Sequence, residues 1–222
     1  LNPHLALTYS GILWIYGDFI GNADSVFVWA ERMIKDIPDN PWGYFYMGSA
    51  WLFRDSIEKS ILCFQKAMEL SPDLMINSYR LAHTYMNAGN FGEAIKVLEK
   101  IPAINPREYS AYYNLGCCHE ALGDHQAART CFLKFREGAE EFWLKNYPDH
   151  YATYTTLASV AARLGEMDLS GQLLNKAVEL DSTQYFAFAE VLCVQGNIHE
   201  ALDYIELALD HGFRNLYALK AN

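Results

Sequence analysis

Hydrophobic residues recur three or four positions apart along most of the 222-residue chain, and short polar turns separate the periodic segments. This spacing places apolar side chains along one side of an α-helix. Three of these amphipathic segments close at a proline, and Pro38, Pro72 and Pro106 stand 34 residues apart. Proline stops a helix, and a period of this size is typical of helix–turn–helix repeats. The pattern therefore predicts a solenoid of stacked helix pairs.

Small residues keep the same period. Gly48, Ala82 and Gly116 are 34 residues apart, and Ala158 and Ala189 occupy the same place in later units. Such residues let the two helices of a pair approach closely. Most units turn at a glycine followed by a polar residue, because glycine suits the left-handed position that ends a helix. These turns are Gly17-Asp18, Gly89-Asn90, Gly123-Asp124, Gly165-Glu166 and Gly196-Asn197.

The repeat resembles the tetratricopeptide repeat, which has an aromatic residue, Leu-Gly, a second aromatic residue, Ala-x-x-x-Phe and a closing proline. The second unit carries this pattern as Tyr44, Met47, Gly48, Trp51, Ser60, Phe64, Ala67 and Pro72. The resemblance implies an all-α, right-handed superhelical solenoid of about six repeats, forming one domain over residues 1–222. The repeats are expected at 3–38, 41–74, 75–108, 109–148, 151–181 and 182–212, with a capping helix at 213–222.

The last twenty or so residues look similar to the final repeat of tracts found in multidomain bacterial regulators. That likeness implies that the chain is the docking or sensing part of a larger protein. The chain also begins at Leu1 without a methionine, which indicates an excised piece.

Two units break the period. Gly17 to Pro38 spans 21 residues, against 17 from Gly89 to Pro106, and this predicts a longer second helix in the first unit. Between the fourth and fifth units the period lengthens from 34 to 42 residues. The segment 137–145 carries this surplus, lacks proline and is rich in helix formers. We therefore expect an extended helix that projects from the stack, with a loop as the alternative.

The aromatic residues of this surplus segment cannot all face the stack while its glutamates stay solvated. Phe135 and Phe142 lie two helical turns apart on one stripe. We expect both to pack on the fifth unit near Tyr151 and Tyr154, leaving Trp143 to cover the neighbouring groove or a partner.

Charge and composition exclude several classes of protein. The net charge is −10 and the basic residues are scattered, which argues against nucleic-acid binding. The sequence contains no stretch of about 18 uncharged apolar residues, so it predicts no membrane span. The five cysteines form no Cys-x-x-Cys motif, and four of them have apolar neighbours in helical patterns. These features favour a reduced, cytoplasmic setting.

No catalytic or metal-binding motif is present. The sequence has no phosphate-binding loop, no paired-histidine zinc motif and no G-x-S-x-G elbow. Cys117, Cys118 and His119 are adjacent on one predicted helix, so their side chains diverge and packing explains them better than chemistry. The remaining histidines are dispersed. We predict no enzymatic activity, no cofactor and no metal site.

The face of each first helix that points away from its partner helix is expected to line a concave groove. In the first three units this face is largely aromatic and apolar, whereas from the fourth unit onward it turns polar. A helix that is apolar all round must be covered by something. The cover is a bound peptide or helix, or else neighbouring repeats or an absent segment of chain. The predicted partner-binding residues are Trp14, Trp42, Phe45, Tyr46, Ser49, Phe53, Tyr79, Arg80, His83, Tyr113 and Asn114.

Some tetratricopeptide domains hold a chaperone's terminal carboxylate with a clamp of lysine, asparagine and arginine residues. Asn114 matches one clamp position, but Tyr79 and His83 precede it and Ala152 and Thr156 follow it. The required donors are missing, so the clamp is rejected. The leading hypothesis is a non-catalytic scaffold that binds a peptide or helix of a protein partner in the aromatic half of its concave groove. The alternative is a self-association module that forms a homodimer, and an enzyme or small-ligand sensor is a distant third.

Overall fold

Helices joined by short turns follow one another along the chain in the computed structural model, which describes residues 3–16 and 22–211. The chain divides into two compact units, Leu1–Pro106 and Arg107–Asn222. Within the described residues all regular structure is helical. The prediction of an all-α fold of helix–turn–helix repeats is therefore confirmed.

The first unit contains three helix pairs and a final single turn. Consecutive helices of each pair pack against one another. The elements are α1 (Pro3–Trp14) with α2 (Ala23–Asp36), α3 (Pro41–Phe53) with α4 (Ile57–Leu70), α5 (Met75–Asn87) with α6 (Phe91–Leu98), and the single turn α7 (Ile101–Ile104).

The second unit also contains three helix pairs in its described part. A π-helical segment, Ala139–Leu144, follows the second helix of its first pair. The elements are α8 (Ser110–Ala121) with α9 (His125–Gly138), α10 (Tyr151–Arg163) with α11 (Met167–Leu180), and α12 (Tyr185–Gln195) with α13 (Ile198–Asp210). The predicted capping helix at 213–222 lies outside the described residues, and one continuous repeat domain stays a prediction.

Close approach of the paired helices explains the periodic small residues. A β-carbon added at Gly48 would lie 2.9 Å from Cε1 of Phe64, and one at Gly116 would lie 2.4 Å from Cε1 of Phe132. Both phenylalanine side chains are almost completely buried. Each ring of the second helix therefore packs directly on the backbone of the first helix, where a larger residue would not fit.

The predicted glycine turns are confirmed wherever the structure describes them. Gly89, Gly123, Gly165 and Gly196 have φ between 73 and 84° and follow the first helix of their pairs. In the α3–α4 turn, where the sequence has no glycine, Asp55 takes the same conformation with φ 56°. Aspartate is one of the few other residues that tolerate it. The predicted Gly17-Asp18 turn lies outside the described residues.

Alanine substitutions at two nearby glycines, Gly89 and Gly92, should shift the free energy of unfolding in opposite directions. Gly89→Ala should lower the free energy of unfolding by about 1 kcal/mol, because alanine is strained at the φ of 73° found there. Gly92→Ala should raise it by about 0.5 kcal/mol, because Gly92 lies in α6 with open space where its β-carbon would be. Chemical denaturation of both variants measures the two shifts, and shifts of the same sign would contradict this account.

The prediction of a longer second helix in the first unit is wrong. Helix α2 contains 14 residues, as α4 does. The surplus positions instead precede Ala23, and residues 17–21 among them lie outside the described part of the chain.

Candidate functional site

The lengthened period between the fourth and fifth repeats forms helix, as predicted, but this helix packs on the core of the second unit and does not simply project from the stack. Helix α9 runs from His125 to Gly138 and continues without a break into the π-helical segment Ala139–Leu144. A π-helical turn accommodates extra residues within a helix and is often found at functional sites. The extension ends before the turn that leads to α10 at Tyr151.

Packing inside the second unit fixes the direction of this extension. Phe135 and Ala139 are buried in a cluster with Leu157 and Val160 of α10. Phe135 therefore packs on the fifth repeat, as predicted. Phe142 instead lies beneath the guanidinium of Arg107, whose Cζ is 5.8 Å from the ring centroid.

Trp143 is half-buried between two other rings. Its ring centroid lies 5.6 Å from that of Phe135 and 6.2 Å from that of Tyr109, and both contacts are edge-to-face. Tyr109 in turn lies against Gly138, where an added β-carbon would be 2.1 Å from Cγ of the tyrosine ring. The absence of a side chain at Gly138 thus lets Tyr109 support Trp143.

The extension, the following turn and helices α8 and α10 enclose an open cavity of about 500 Å³, which we call the Trp143 recess. Its walls are aromatic and hydroxyl-bearing, and among the described residues no carboxylate, lysine or arginine belongs to the lining. The lining residues are Ser110, Trp143, Tyr147, His150, Ala152, Thr153 and Thr156.

Local hydrogen bonds orient the polar side chains that line the recess. The Thr156 hydroxyl donates to the backbone oxygen of Ala152 at 2.9 Å. His150 Nδ1 and the Thr153 hydroxyl are 3.0 Å apart. Tyr147 is 59% exposed and so forms a wall of the recess that is open to solvent.

A polar cluster joins α8 to α10 beside this site. The hydroxyls of Tyr113 and Ser159 are 3.1 Å apart, and Arg163 pairs with Glu120. Burial raises the pKa of Tyr113 to about 12. Burial also raises the pKa of Cys117, although the Arg163 charge opposes that shift. These groups hold the two helices together as neutral hydrogen-bonded partners and one ion pair.

The predicted binding residues of the first unit separate into exposed and buried groups. Trp14 and Phe53 are 56% and 58% exposed. Phe45 and Tyr46 are only 6% and 8% exposed, and the Phe45 ring centroid lies 5.8 Å from that of Phe64. Phe45 and Tyr46 therefore belong to the core of the unit and present little surface to a partner.

Trp42 and Ser49 are half-buried next to this core. The Trp42 ring meets Phe45 edge-to-face at 5.2 Å, and the Ser49 hydroxyl donates to the backbone oxygen of Phe45 at 3.1 Å. Trp42 and Ser49 are thus partly engaged in contacts within the first unit itself.

The third repeat contributes a more open group of predicted residues. Tyr79 is half-buried, and its ring lies 6.5 Å from that of His83. Arg80 is exposed, with its Cζ 5.6 Å from the centroid of the Phe45 ring. Although His83 reaches the surface, desolvation by the surrounding protein lowers its pKa, and the Arg80 charge lowers it further.

In the second unit the predicted residues Tyr113 and Asn114 are turned into the structure. Asn114 is 8% exposed, and its side-chain amide donates to the backbone oxygen of Ser110 at 3.0 Å. The sequence placed Ser110 and Thr156 on the groove-lining face and expected Trp143 to cover a groove or a partner, and all three line the recess; Tyr147, His150 and Thr153 were not predicted. The period break at 137–145 was the available signal.

The described residues offer little for metal or thiol chemistry. Between them, residues 3–16 and 22–211 contain no cluster of three or more His, Cys, Asp or Glu side chains suited to a metal ion. Burial raises the pKa of Cys63 to about 11 and, with the neighbouring Cys117, that of Cys118 to about 12. These thiols stay protonated near neutral pH. Among the described helices, none is long and apolar enough to cross a membrane.

Comparison with known proteins identifies the repeats. Two models of the tetratricopeptide repeat family match residues 79–142 and 151–184. These two segments of the chain are tetratricopeptide repeats. The two matches stop at residue 142 and resume at 151, so Trp143, Tyr147 and His150 of the recess fall between them.

Curated relatives share the repeats at low identity. The tetratricopeptide repeat-containing protein trd-1 of Caenorhabditis elegans is 23% identical over 172 residues, which are 77% of this chain and 20% of the relative. The human mitochondrial import receptor subunit TOM70 is 23% identical over 193 residues, which are 81% of this chain and 30% of the relative. The chain therefore spans a fifth to a third of the length of these two proteins.

Solved structures share the fold. PilW, a type IV pilus biogenesis factor, matches with a TM-score of 0.65 and 14% identity, and the match covers 100% of both chains. The protein TTC0263 of Thermus thermophilus matches with a TM-score of 0.58 and 21% identity, over 81% of this chain and 98% of that one. At these identities the likeness concerns the fold alone.

Proposed function

We propose that this repeat protein is a non-catalytic scaffold that binds a peptide or helix of a partner protein. The observation that carries the proposal is the Trp143 recess, an open cavity with aromatic walls and few polar groups. Sites of this kind hold an inserted side chain by apolar contact and fix its orientation with a small number of hydrogen bonds. The exposed Trp14 and Phe53 of the first unit provide further anchor residues.

Two further lines support the proposal. The repeats belong to a family whose members serve as protein-interaction scaffolds, and the relative TOM70 is named as an import receptor subunit. The acidic balance of the chain, at −10, disfavours nucleic acid as the partner. We also propose a reduced, cytoplasmic setting, which suits the five free cysteines.

Selection of short linear peptides on the immobilised protein tests this function. We expect selected peptides to bind wild-type protein and to lose about tenfold or more in affinity with Trp143→Ala, since anchor aromatics carry a large share of binding energy. Leu62→Ala, which removes a 65% exposed side chain of the first unit, is the control and should bind normally. If no peptide is selected, or if both variants bind as wild type does, the peptide-binding scaffold is contradicted.

Self-association is the second candidate function. Helix α1 contains no charged residue and exposes Leu7 at 72% and Trp14 at 56%. An uncharged helix with exposed large side chains is typical of an interface. Light scattering at decreasing concentration tests this candidate. A homodimer that dissociates on Leu7→Ser/Trp14→Ser would favour it, and a monomer at every concentration would exclude it.

A further inference from the structure

The Trp143 recess depends on residues that the repeat pattern does not supply. Ser110, Ala152, Thr153 and Thr156 occupy helices α8 and α10, within the matched repeats. Trp143, Tyr147 and His150 come from residues 143–150, between the two matches. The repeats therefore form the floor of the recess, and residues 143–150 add the aromatic walls. A recess assembled in this way is suited to a ligand that regular repeats do not bind.

The lining offers electron-rich groups. The faces of tryptophan and tyrosine rings attract cations. The Thr156 hydroxyl donates its hydrogen bond to the backbone oxygen of Ala152, so it can only accept further hydrogen bonds. In the part of the chain that the structure describes, no lysine or arginine belongs to the lining, and the guanidinium of Arg107 lies over Phe142. The interior therefore suits a group that donates hydrogen bonds and carries positive charge.

The segment around the recess is acidic. Residues 137–150 contain four carboxylates, those of Glu137, Glu140, Glu141 and Asp149, against the single ammonium of Lys145. All five side chains are exposed. The whole chain carries a net charge of −10. Exposed carboxylates around an opening attract basic ligands over several ångströms and disfavour acidic ones.

We propose that the Trp143 recess receives the side chain of a lysine or arginine from a basic segment of a partner protein, inserted between Trp143 and Tyr147. This assignment rests on the proposed function and specifies the chemistry of the ligand. The aromatic walls bind the stem and the charged head of that side chain, and the Thr156 hydroxyl accepts a hydrogen bond from it. The exposed carboxylates of residues 137–150 attract the flanking basic residues of the partner segment.

Binding of capped peptides that differ at one position tests the proposal. The probes are glycine–serine peptides with a single central lysine, arginine, norleucine or glutamate, titrated against the wild-type protein and followed by NMR. Trp143 is the one tryptophan between residues 107 and 222, so substitution by phenylalanine assigns its indole signal. We expect the lysine and arginine peptides to shift this signal and to bind about tenfold more tightly than the norleucine peptide. We also expect their affinity to fall as salt is added.

Matched variants locate the binding. Tyr147→Ala removes a largely exposed wall of the recess. It should lower the affinity for the arginine peptide at least fivefold without changing the melting temperature. Met167→Ala, a 50% exposed side chain of the same unit, is the control and should leave binding unchanged. Glu140→Gln/Glu141→Gln should weaken binding at low salt and have little effect at high salt.

The outcomes distinguish the proposal from the broader function. Equal or tighter binding of the norleucine or glutamate peptide would overturn the basic ligand, and so would binding of the arginine peptide that Tyr147→Ala leaves unchanged. If selected peptides depend on Trp143 but lack basic residues, the scaffold function stands and the basic ligand is wrong. If no peptide of either kind binds, both proposals fail.

Discussion

Replacing Phe132 by alanine is expected to lower the free energy of unfolding by about 3–5 kcal/mol. Phe132 is 2% exposed, lies in the core of the second unit and packs on the backbone of Gly116. Its removal leaves a cavity between α8 and α9 that neighbouring backbone cannot fill. Chemical denaturation, monitored by circular dichroism, measures the loss.

The adjacent residue gives the matched control. Leu133 is 36% exposed, so Leu133→Ala should cost about 0.5 kcal/mol. Similar losses for Leu133→Ala and Phe132→Ala would contradict the packing of α9 on α8 described above. A loss below about 1 kcal/mol for Phe132→Ala would contradict it too.

The second large effect is expected at Gly138. A β-carbon there would lie 2.1 Å from both Cγ and Cδ1 of Tyr109, and Cγ is the ring atom nearest the backbone. The ring cannot swing aside without moving the start of α8, which follows Tyr109 directly, or Trp143. Gly138→Ala should therefore cost about 1–3 kcal/mol of folding free energy and weaken peptide binding at the Trp143 recess.

A double substitution tests the cause. With Tyr109→Ala present, Gly138→Ala should lose most of its cost, which a double-mutant cycle measures as a coupling energy. Gly171→Ala is the control within the same unit, because no atom lies within 4 Å of its β-carbon position. That variant should gain about 0.5–1 kcal/mol. Absence of coupling between positions 109 and 138 would show that the cost has another origin.

The sequence predicted the features that depend on period. The spacing of Gly48 and Gly116 gave the close approach of paired helices, and residues 137–145 were correctly expected to form helix. Both follow from local rules, since a repeat unit must bury one face on its neighbour and proline-free helix formers favour helix.

The separation of buried from exposed aromatics could not be predicted in the same way. Helix α3 is apolar on nearly every side, so periodicity does not show whether Phe45 or Phe53 points inward. Phe45 is buried because it meets Phe64, whereas Phe53 lies at the helix end and stays exposed. The recess likewise depends on where the turn after Trp143 places Tyr147 and His150, and contacts distant in sequence decide that.

The lengthened α9 has a consequence for how repeat arrays diversify. Because the surplus residues extend α9 through the π-helical segment Ala139–Leu144 and lie before α10, the helix pairs α8–α9 and α10–α11 keep their own packing. Residues 139–150 therefore form a cassette that adds Trp143, Tyr147 and His150 to the lining of a cavity between two helix pairs. Transplanting such a cassette between two repeats of an unrelated scaffold offers a way to engineer recognition while leaving the framework residues intact.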